Sequence, residues 1–374
     1  MPLVRFSKYS VYGNILIFID EISERQLGES EKSDFVRAAL NEHIGIGADN
    51  LIMLQTFSPA LMREIGEKNK YWKTSPLLSA EPDPDYVFRM FEPDGREALC
   101  CGNGLVCTAH HLHAHYGVEA ARILTEIPST IPKVRKVEAV ESGKSFRVNM
   151  GCPSLIPETL LNVDLITHTE GNLAFFRDYP LHIEWMNTSG EDRRLSTAIS
   201  GCFTYTGEPH LVVFENPDSR SEDDVSRIFR QLFGEHSSKR EDRTLQNQRL
   251  DSDMIFHKIG LNFNAPQSVN FPQGINLNFA RVVSENGVIE CRSFERGINK
   301  ETLACGTGAL AVAFAAHQLH MVKSNRIEVW PKRGRWLDQF KDAWLRASRD
   351  PSGDWWLETE PRCIFSGTFE FPRS

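Results

Sequence analysis

The feature that most constrains this chain is a short segment that occurs twice, once in each half of the sequence. Glu97-Ala-Leu-Cys-Cys-Gly-Asn-Gly104 and Glu301-Thr-Leu-Ala-Cys-Gly-Thr-Gly308 share the pattern E-x-L-x-C-G-x-G. Each follows a Phe-Glu pair, Phe91-Glu92 or Phe294-Glu295, and each precedes apolar residues at helical spacing. Because internal self-similarity indicates a repeated structural unit, we predict two similar α/β domains. Each would contain a strand, a turn, a Cys-Gly-x-Gly corner and a central helix.

Composition is that of a folded globular protein. The chain has 374 residues, of which 41% are hydrophobic and 25% are charged, close to the average for folded domains. Its formal net charge of −8 offers no basic surface for a nucleic-acid backbone or an anionic membrane. We therefore expect neither nucleic acid nor a membrane as a partner.

No targeting or membrane-spanning segment is predicted. The longest apolar stretch, Ala309–Ala316, is far shorter than the roughly 20 residues that cross a bilayer, and it predicts a buried helix. The short apolar run Ile15–Ile19 is followed by Asp20-Glu21, which is not typical of a secretory signal. We therefore expect a cytoplasmic protein with reduced thiols, in which a conspicuous cysteine is a candidate for chemistry.

Short β-rich runs bounded by Gly, Pro, Asn and Asp recur along the chain. The predicted strands are Ile15–Ile19, Val87–Phe91, Phe146–Met150, Leu211–Phe214, Phe279–Val283, Ile289–Phe294, Ile327–Trp330 and Trp355–Glu358. A helix capped by Ser221 is predicted from apolar residues at helical spacing, namely Val225, Ile228, Phe229, Leu232 and Phe233. The polar stretch from Glu235 to Asp253 predicts a solvated loop.

Cys101 and Cys305 each stand just before Gly-x-Gly at a predicted helix start. Backbone N–H groups are unpaired there and the helix dipole is positive, which lowers the pKa of a thiol from its usual value of about 8.5. Each cysteine is therefore predicted to act as a base, beside N–H groups that bind a carboxylate or phosphate. Two such thiols suit a racemase, because one removes an α-proton while the other protonates the opposite face. No cofactor is expected, since no lysine stands in a recognisable pyridoxal-phosphate context.

Other interpretations of these residues carry less weight. Four further cysteines are expected to be buried and inert: Cys152, Cys202, Cys291 and Cys363. A zinc site would draw on Cys100, Cys101, Cys107, His110, His111, His113 and His115. These residues point around several helix faces and lack a second ligand pair, so we expect no metal and simple surface histidines. Nucleotide binding is disfavoured because neither glycine-rich phosphate motif is present.

Together with further motifs, the two cysteine segments resemble the diaminopimelate epimerase family. The matching motifs follow the family's order along nearly the whole chain: Gly13-Asn14 resembles G-N-D-F, Gly45–Leu51 resembles G-I-G-x-D-x-L, Arg89–Gly95 with Cys101–Gly104 resembles R-x-F-N-x-D-G…C-G-N-G, Val148–Gly151 matches the start of the second domain, Gly207–His210 resembles G-N-P-H, Ile275-Asn276 resembles V-N, and Glu295–Gly297 with Thr302–Gly308 matches E-R-G…T-x-A-C-G-T-G.

The resemblance implies an α/β (α+β) fold of two pseudo-symmetric domains, each a mainly antiparallel sheet wrapped round a central helix, with the active site in the cleft between them. We place the N-terminal domain at residues 1–148, with the segment 362–374 returning to it, and the C-terminal domain at 149–361. The implied activity is the cofactor-independent conversion of LL- to meso-diaminopimelate, a precursor of lysine and peptidoglycan. The expected partner is a small amino-acid substrate, and a homodimer is the hypothesis for assembly.

The resemblance also implies a role for each matching residue. Cys101 and Cys305 would be the two bases, with His210 and Glu295 as partners that adjust their proton affinity. The backbone at Gly102, Asn103, Gly306 and Thr307 would hold the reacting carboxylate. The remaining residues of the expected substrate pocket are Asn14, Asn50, Glu92, Glu208, Asn276 and Arg296, of which Arg296 would clamp a distal carboxylate.

Three pocket positions depart from the family's pattern. Glu92 and Glu208 replace asparagines of R-x-F-N and G-N-P-H, and Asn50 replaces a glutamine. Two carboxylates there would repel a distal carboxylate and favour a cationic group, unless one of them pairs with Arg296. The alternatives are therefore a racemase of histidine or another basic amino acid, and a non-catalytic or metal-binding member of the fold. Insertions near 57–84 and 235–273 would be lids, oligomer contacts or plain loops.

Overall fold

The computed structural model describes residues 3–72, 83–129, 131–215, 224–234 and 243–371. The chain divides into two compact units, Met1–Met150 with Trp356–Ser374, and Gly151–Trp355. Strands dominate both units and helices are few, so the predicted mixed α/β fold class is confirmed. None of the helices described is both long and apolar enough to span a lipid bilayer.

The helices and strands are numbered in chain order. The helices are α1 (Glu29–Leu40), α2 (Pro59–Asn69), α3 (Gly102–Tyr116), α4 (Asp224–Phe233), α5 (Arg243–Phe263) and α6 (Gly306–Gln318). The strands are β1 (Leu3–Val11), β2 (Asn14–Glu21), β3 (Asn50–Thr56), β4 (Tyr86–Phe91), β5 (Glu97–Ala98), β6 (Ala120–Thr125), β7 (Lys133–Val140), β8 (Ser145–Gly151), β9 (His168–Glu170), β10 (Leu173–Met186), β11 (Asp192–Tyr205), β12 (Pro209–Phe214), β13 (Asn276–Ser284), β14 (Val288–Glu295), β15 (Lys300–Glu301), β16 (Arg326–Pro331), β17 (Leu345–Arg349), β18 (Trp355–Thr359) and β19 (Arg362–Glu370).

The two units repeat one pattern of strand pairing. In the first unit, β2 and β3 are parallel, β3 and β4 antiparallel, and β4 and β6 parallel. In the second unit, β12 and β13 are parallel, β13 and β14 antiparallel, and β14 and β16 parallel. The other pairings recorded in both units are antiparallel. The repeated sequence segment therefore belongs to a repeated structural unit, as predicted.

A buried helix lies at the centre of each repeat. Every residue of α6 from Gly306 to Ala316 is buried, and so are most residues of α3 from Gly102 to Leu112. A helix that is apolar or small on all faces must be covered on all sides. The Ala309–Ala316 stretch is thus a core helix, as its apolar composition predicted.

All eight strands predicted from the sequence lie within observed strands. The helix predicted around Val225 is α4, whose side chains Ile228, Phe229, Leu232 and Phe233 join the core of the second unit. Its proposed cap, Ser221, lies outside the described residues.

The loop predicted for residues 235–253 is wrong for residues 243–253. Residues 243–253 form the first half of α5, whereas 235–242 lie outside the described residues. The second half of α5 buries Ile255, Phe256, Ile259 and Phe263 against the second unit's core. Tertiary packing of one part of a helix stabilises the helical conformation of the residues next to it. The polar first half of α5 is therefore helical because the second half is packed against the core.

Candidate active site

Cys101 and Cys305 occupy the same structural position, the N-cap of a buried helix. The Cys101 sulfur accepts a hydrogen bond from the Gly104 N–H at 3.3 Å, and the Cys305 sulfur accepts one from the Gly308 N–H at 3.4 Å. The sulfur thus takes the place that a Ser, Thr or Asp oxygen usually occupies. Two residues follow each cysteine inside the first helical turn, where backbone N–H groups lack intrahelical acceptors. Those residues are Gly102 and Asn103 in α3, and Gly306 and Thr307 in α6.

A buried arginine–glutamate pair holds the turn before each cysteine. Arg89 on β4 donates from Nε and Nη2 to the two carboxylate oxygens of Glu97, at 2.8 and 2.7 Å. Arg292 on β14 binds Glu301 in the same way, at 2.7 and 2.5 Å. Glu97 and Glu301 each begin one copy of the repeated segment. A glutamate at the same place in both copies could have indicated a shared structural role, but the sequence analysis predicted no partner for it. We call these two pairs the Arg–Glu forks.

Burial decides the protonation of Cys305. Its side chain is only 7% exposed, and this burial, together with the charge of Glu295, raises the pKa of the thiol. The Gly308 N–H and the Thr307 hydroxyl, which lies 3.6 Å from the sulfur, lower the pKa of the thiol, but by less than burial and Glu295 raise it. The expectation that a helix N-terminus lowers this pKa is therefore wrong for Cys305, because desolvation of the thiolate outweighs the helix terminus.

Glu295 stands at the end of β14, where the Thr302 hydroxyl donates to its Oε1. Its charge acts on Cys305. Of the two residues expected to adjust the proton affinity of the cysteines, the structure therefore places Glu295 where it acts on Cys305, within the second unit.

His210 is completely buried on β12. Its Nδ1 lies 3.1 Å from the side-chain amide nitrogen of Asn278. Burial, and the nearby charge of Arg296, lower the pKa of His210 to about 3. The imidazole is therefore neutral at pH 7. Sequence reasoning missed Asn278, which carries none of the charge or reactivity that draws attention to a residue.

Polar side chains of the first unit form a chain that ends beside Cys101. Asp49 accepts from the Asn14 side chain at 3.0 Å and from the Ile15 N–H at 2.7 Å. The Asn14 oxygen in turn accepts from the Asn103 side chain at 3.1 Å. The sequence motifs placed Asn14 and Asn103 in the site but not Asp49, which binds Asn14 and reaches Asn103 only through it.

Glu92 also lies among the predicted pocket residues of the first unit. Its carboxylate accepts from the Asn50 side chain at 3.2 Å. Two of the three positions at which the chain departs from the family pattern are therefore hydrogen-bonded to each other.

Arg296 is paired within the second unit. Its guanidinium donates from Nε and Nη2 to Oε2 of Glu208, at 2.8 and 2.6 Å. Its backbone N–H donates to the Asn276 side chain at 2.9 Å. The sequence left open whether one new carboxylate would pair with Arg296, and Glu208 does so.

The predicted site residues thus form two sets. The first unit holds Asn14, Asn50, Glu92, Cys101, Gly102 and Asn103, and the second holds Glu208, His210, Asn276, Glu295, Arg296, Cys305, Gly306 and Thr307.

The histidine-rich stretch of α3 has a structural explanation. His111 is buried, with Nδ1 3.1 Å from the Tyr9 hydroxyl and Nε2 2.9 Å from the Asp20 carboxylate, so it is not the surface residue expected. Among the described residues, no group of three His, Cys, Asp or Glu side chains could hold a metal ion. Cys202 and Cys291 are buried as expected, but Cys152 is exposed and Cys363 is half-buried.

Comparison with known proteins agrees with the motifs. Residues 6–156 match the family model described as "Diaminopimelate epimerase". The chain is 29% identical over 341 residues to a protein of Methanothrix thermoacetophila named diaminopimelate epimerase, covering 89% of this chain and 88% of that protein. It is 27% identical over 356 residues to the Aquifex aeolicus protein of the same name, covering 92% and 94%.

Solved structures support the fold. A phenazine biosynthesis protein of the PhzF family from Bacillus anthracis superposes with a TM-score of 0.51 at 12% identity, covering 99% of this chain and 100% of that one. At this identity the likeness concerns the fold alone. The homologues by sequence are epimerases, so the prediction that the chain is an isomerase is confirmed. The chain is related to the diaminopimelate epimerase family, as its two cysteine segments and ordered motifs predicted.

Proposed function

We propose that this protein is a cofactor-independent amino-acid epimerase that inverts an α-carbon with two cysteines. The observation that carries the proposal is the equivalent placement of Cys101 and Cys305, each the N-cap of a buried helix in one of two repeated units. One thiolate removes the α-proton from one face, and the opposite thiol delivers a proton to the other face. The first thiol keeps the substrate proton, so each turnover exchanges the protonation states of the two cysteines.

The helix termini supply the electrostatic part of the mechanism. Removal of an α-proton moves negative charge onto the carboxylate, and preorganised N–H donors stabilise that charge. Gly102 and Asn103, and Gly306 and Thr307, provide such donors beside the two sulfurs. We assign these four residues to the reacting carboxylate.

The environment of Cys305 suggests how the resting protein is protonated. Burial and Glu295 raise the pKa of Cys305, so it rests as a thiol and acts first as the proton donor. Cys101, which is half-buried at its own helix terminus, then takes the part of the thiolate base. In the opposite direction, Cys305 must be deprotonated, and we assign Glu295 as the group that controls its proton affinity.

Diaminopimelate is the first candidate substrate. The family model and the sequence relatives named diaminopimelate epimerase support it. Arg296 offers a guanidinium for a distal carboxylate. In this role the protein would convert LL- to meso-diaminopimelate in the supply of lysine and peptidoglycan precursors.

A basic amino acid such as histidine is the second candidate, favoured by the pairing of Arg296 with Glu208. The guanidinium that would clamp a distal carboxylate already binds a carboxylate of the protein, at 2.6 Å. Glu92 adds a further negative charge among the expected pocket residues. Both features reduce the attraction of a second substrate carboxylate and increase that of a cation.

Loss of the α-proton signal in deuterated water tests both candidates. The protein is incubated with LL-diaminopimelate, histidine, lysine or arginine, and each α-proton resonance is followed by NMR. Exchange with diaminopimelate supports the first candidate, and exchange with a basic amino acid alone supports the second. Zinc bound to the protein, with no exchange for any substrate, would contradict the epimerase proposal.

Glu208→Asn separates the two candidates further, because it restores the amide found in the family pattern and frees Arg296. For diaminopimelate, we expect KM to fall in the variant. For a basic substrate, we expect KM to rise. An unchanged KM for the substrate that exchanges would remove Glu208 from the pocket. Lys323→Met, which breaks an exposed ion pair with Glu285, serves as the control for a general loss of an ion pair.

A further inference from the structure

A row of three hydrogen-bonded side chains crosses the second unit beneath α6. His210 lies on β12, Asn278 on β13 and Ser293 on β14. His210 and Asn278 are completely buried. The row lies against the cysteine corner, because a methyl group added at Gly308 would approach Asn278 Oδ1 to 2.6 Å and the Cys305 sulfur to 3.1 Å. We call these residues the polar row.

The surroundings of Asn278 determine which way its amide points. One amide atom lies 3.2 Å from the Leu211 carbonyl oxygen and 3.1 Å from His210 Nδ1. A carbonyl oxygen can only accept, so the atom facing it is the NH2 group. The other amide atom, Oδ1, accepts from the Ser293 hydroxyl at 2.9 Å. Reversing the amide would place two oxygens against each other at Leu211.

This orientation determines the tautomer of His210. The Asn278 NH2 donates to Nδ1, so Nδ1 must carry a lone pair, and the single proton of a neutral imidazole then sits on Nε2. The Nε2 atom is buried and has no hydrogen-bond partner among the residues that the structure describes. A buried donor without a partner is costly and calls for an explanation. A negatively charged acceptor that is present only during the reaction would explain it.

The first unit shows that the fold itself does not require polar side chains in this row. In the parallel pair β12–β13, His210 lies opposite Asn276, the first residue of β13. In the equivalent pair β2–β3 of the first unit, Leu16 lies opposite Asn50, the first residue of β3. Leu16 is therefore the counterpart of His210. By the same comparison, the counterpart of Asn278 is Ile52 and that of Ser293 is Met90.

These three counterparts are buried apolar side chains. Ile52 lies against α3 as Asn278 lies against α6. A methyl group added at Gly104 would approach the Cδ1 atom of Ile52 to 2.8 Å, just as one added at Gly308 would approach Asn278. The same scaffold therefore packs well with an apolar row in one unit and carries a polar row in the other.

We propose that Asn278, anchored by Ser293 and the Leu211 carbonyl, is a positioning residue that holds His210 with its proton on Nε2. His210 then serves the reaction as a neutral hydrogen-bond donor and not as a base. The charged group acting on His210 is Arg296, whose guanidinium opposes protonation of the ring. The part of the inference that concerns catalysis rests on the proposed epimerase function, whereas the tautomer does not depend on it.

Nitrogen NMR of the histidine rings tests the tautomer directly. The full chain is labelled with 15N in its histidines, and the two-bond proton–nitrogen correlations of each ring are recorded from pH 8 to pH 5. His210→Gln assigns the His210 signals by their loss. We expect a protonated Nε2, an unprotonated Nδ1 and no titration over this range. A protonated Nδ1, or a ring that titrates within the range, would overturn the proposal.

Asn278→Asp tests the role in catalysis with a nearly isosteric change. A carboxylate accepts a hydrogen bond, so it should move the proton to Nδ1 and leave Nε2 without a proton to donate. We expect kcat for α-proton exchange to fall at least about tenfold, with a smaller change in KM. Ile52→Val, the equivalent position of the first unit, is the matched control and should exchange within twofold of the unchanged protein.

The outcomes separate the two proposals. An Nε2–H ring without exchange of any amino acid contradicts the epimerase function and leaves the tautomer standing. Exchange with an Nδ1–H ring contradicts the tautomer alone. If Asn278→Asp shows the reversed tautomer but exchanges at the original rate, His210 is not a required donor and the catalytic part is wrong. If that variant does not fold, the ring signals of the unchanged protein still decide the tautomer.

Discussion

The two cysteine corners have the same backbone and different surroundings. At the first corner, the space above Gly104 is lined by the apolar side chains of Ile52 and Phe88. At the second corner, the space above Gly308 is lined by Asn278, Ser293 and the Cys305 sulfur itself. Cys101 is half-buried, whereas Cys305 is 7% exposed. The helix terminus is thus common to both thiols, and desolvation and neighbouring polar groups distinguish them.

The comparison teaches which part of the repeat is scaffold and which part is chemistry. The Arg–Glu forks and the N-cap sulfurs are the same in both units, so they belong to the architecture that presents a thiol. At the three positions of the polar row the first unit carries buried apolar side chains, so the shared fold does not itself require polar residues there. Two copies of one structural unit have therefore become chemically unequal through side chains on three neighbouring strands.

The largest effect is expected from removing either thiol. Cys101→Ala and Cys305→Ala should each lower racemisation by about 100-fold or more, because one base cannot serve both faces of the α-carbon. The measurement is chiral chromatography of the product, with circular dichroism to confirm folding. Cys152→Ala, which removes an exposed cysteine, is the control. Normal turnover in either active-site variant would contradict the two-base mechanism.

The forks should matter equally in the two units. Arg89→Met and Arg292→Met each remove the bidentate partner of a buried carboxylate, and breaking such a pair costs about 3–5 kcal/mol of unfolding free energy. Each glutamate keeps one other partner, the Tyr71 hydroxyl at 2.9 Å from Glu97 and Arg333 at 3.1 Å from Glu301. Urea denaturation measures the loss. Arg5→Met breaks an ion pair whose side chains are 63% and 70% exposed, and should cost less than about 1 kcal/mol. A large loss from only one fork would show that the two corners are not held in the same way.

The glycines that follow the cysteines should respond unequally to a methyl group. Gly308→Ala places a carbon 2.6 Å from Oδ1 of Asn278. The amide of Asn278 is held by the Ser293 hydroxyl at Oδ1 and by the Leu211 carbonyl at Nδ2, so we expect a loss of about 1–3 kcal/mol of unfolding free energy. Gly104→Ala places a carbon 2.8 Å from the end of the Ile52 side chain. Because this flexible end can rotate away, Gly104→Ala should lower the free energy of unfolding by less. Thermal denaturation of both variants gives the difference. Equal losses would mean that the polar row is no more rigid than its apolar counterpart.

The smallest effect is the pH dependence contributed by His210. Its pKa falls from 6.5 in the unfolded chain to about 3 in the folded protein. Between these pH values the unfolded state binds more protons than the folded state. The contribution of His210 to the free energy of unfolding is therefore fully present above pH 6.5 and is lost as the pH falls toward 3. The contribution approaches about 1.4 kcal/mol per pH unit at most.

Replacement of the ring should remove that dependence. His210→Gln should flatten the decline of unfolding free energy between pH 6.5 and pH 5, relative to the unchanged protein. Above pH 6.5, the difference between the two proteins should stay constant, which serves as the internal control. Parallel curves throughout the range would show that His210 is not desolvated as described.

The sequence predicted the parts of the fold that depend on local pattern. Turn residues and β-rich runs located eight strands, and the repeated segment located the two helices that begin after Cys101 and Cys305. The polar half of α5 was missed, because its helical state depends on apolar contacts made by its second half. Local composition at residues 243–253 carries no signal of that packing.

For the candidate site, motifs identified the reactive residues but not the groups that orient them. Cys305, Glu295, Arg296 and Glu208 were all marked by charge, reactivity or position in a motif. Asn278 and Ser293 were not, since an amide or a hydroxyl on a strand becomes informative only when its partner is known. Asp49 lies within a matched motif, but only the structure shows that its carboxylate binds Asn14.

By itself, the sequence determined that the chain repeats a strand–turn–helix unit with a cysteine at each helix start, because the glycines, the leading glutamate and the apolar helix are all local features. Only the tertiary structure decided that Glu208 pairs with Arg296, that burial raises the pKa of Cys305 and that the Asn278 side chain lies against Nδ1 of a buried His210. The physical reason is that ion pairing, desolvation and hydrogen-bond direction depend on groups far apart in the chain. The energy of each is set by distance and burial, which the sequence leaves to the fold.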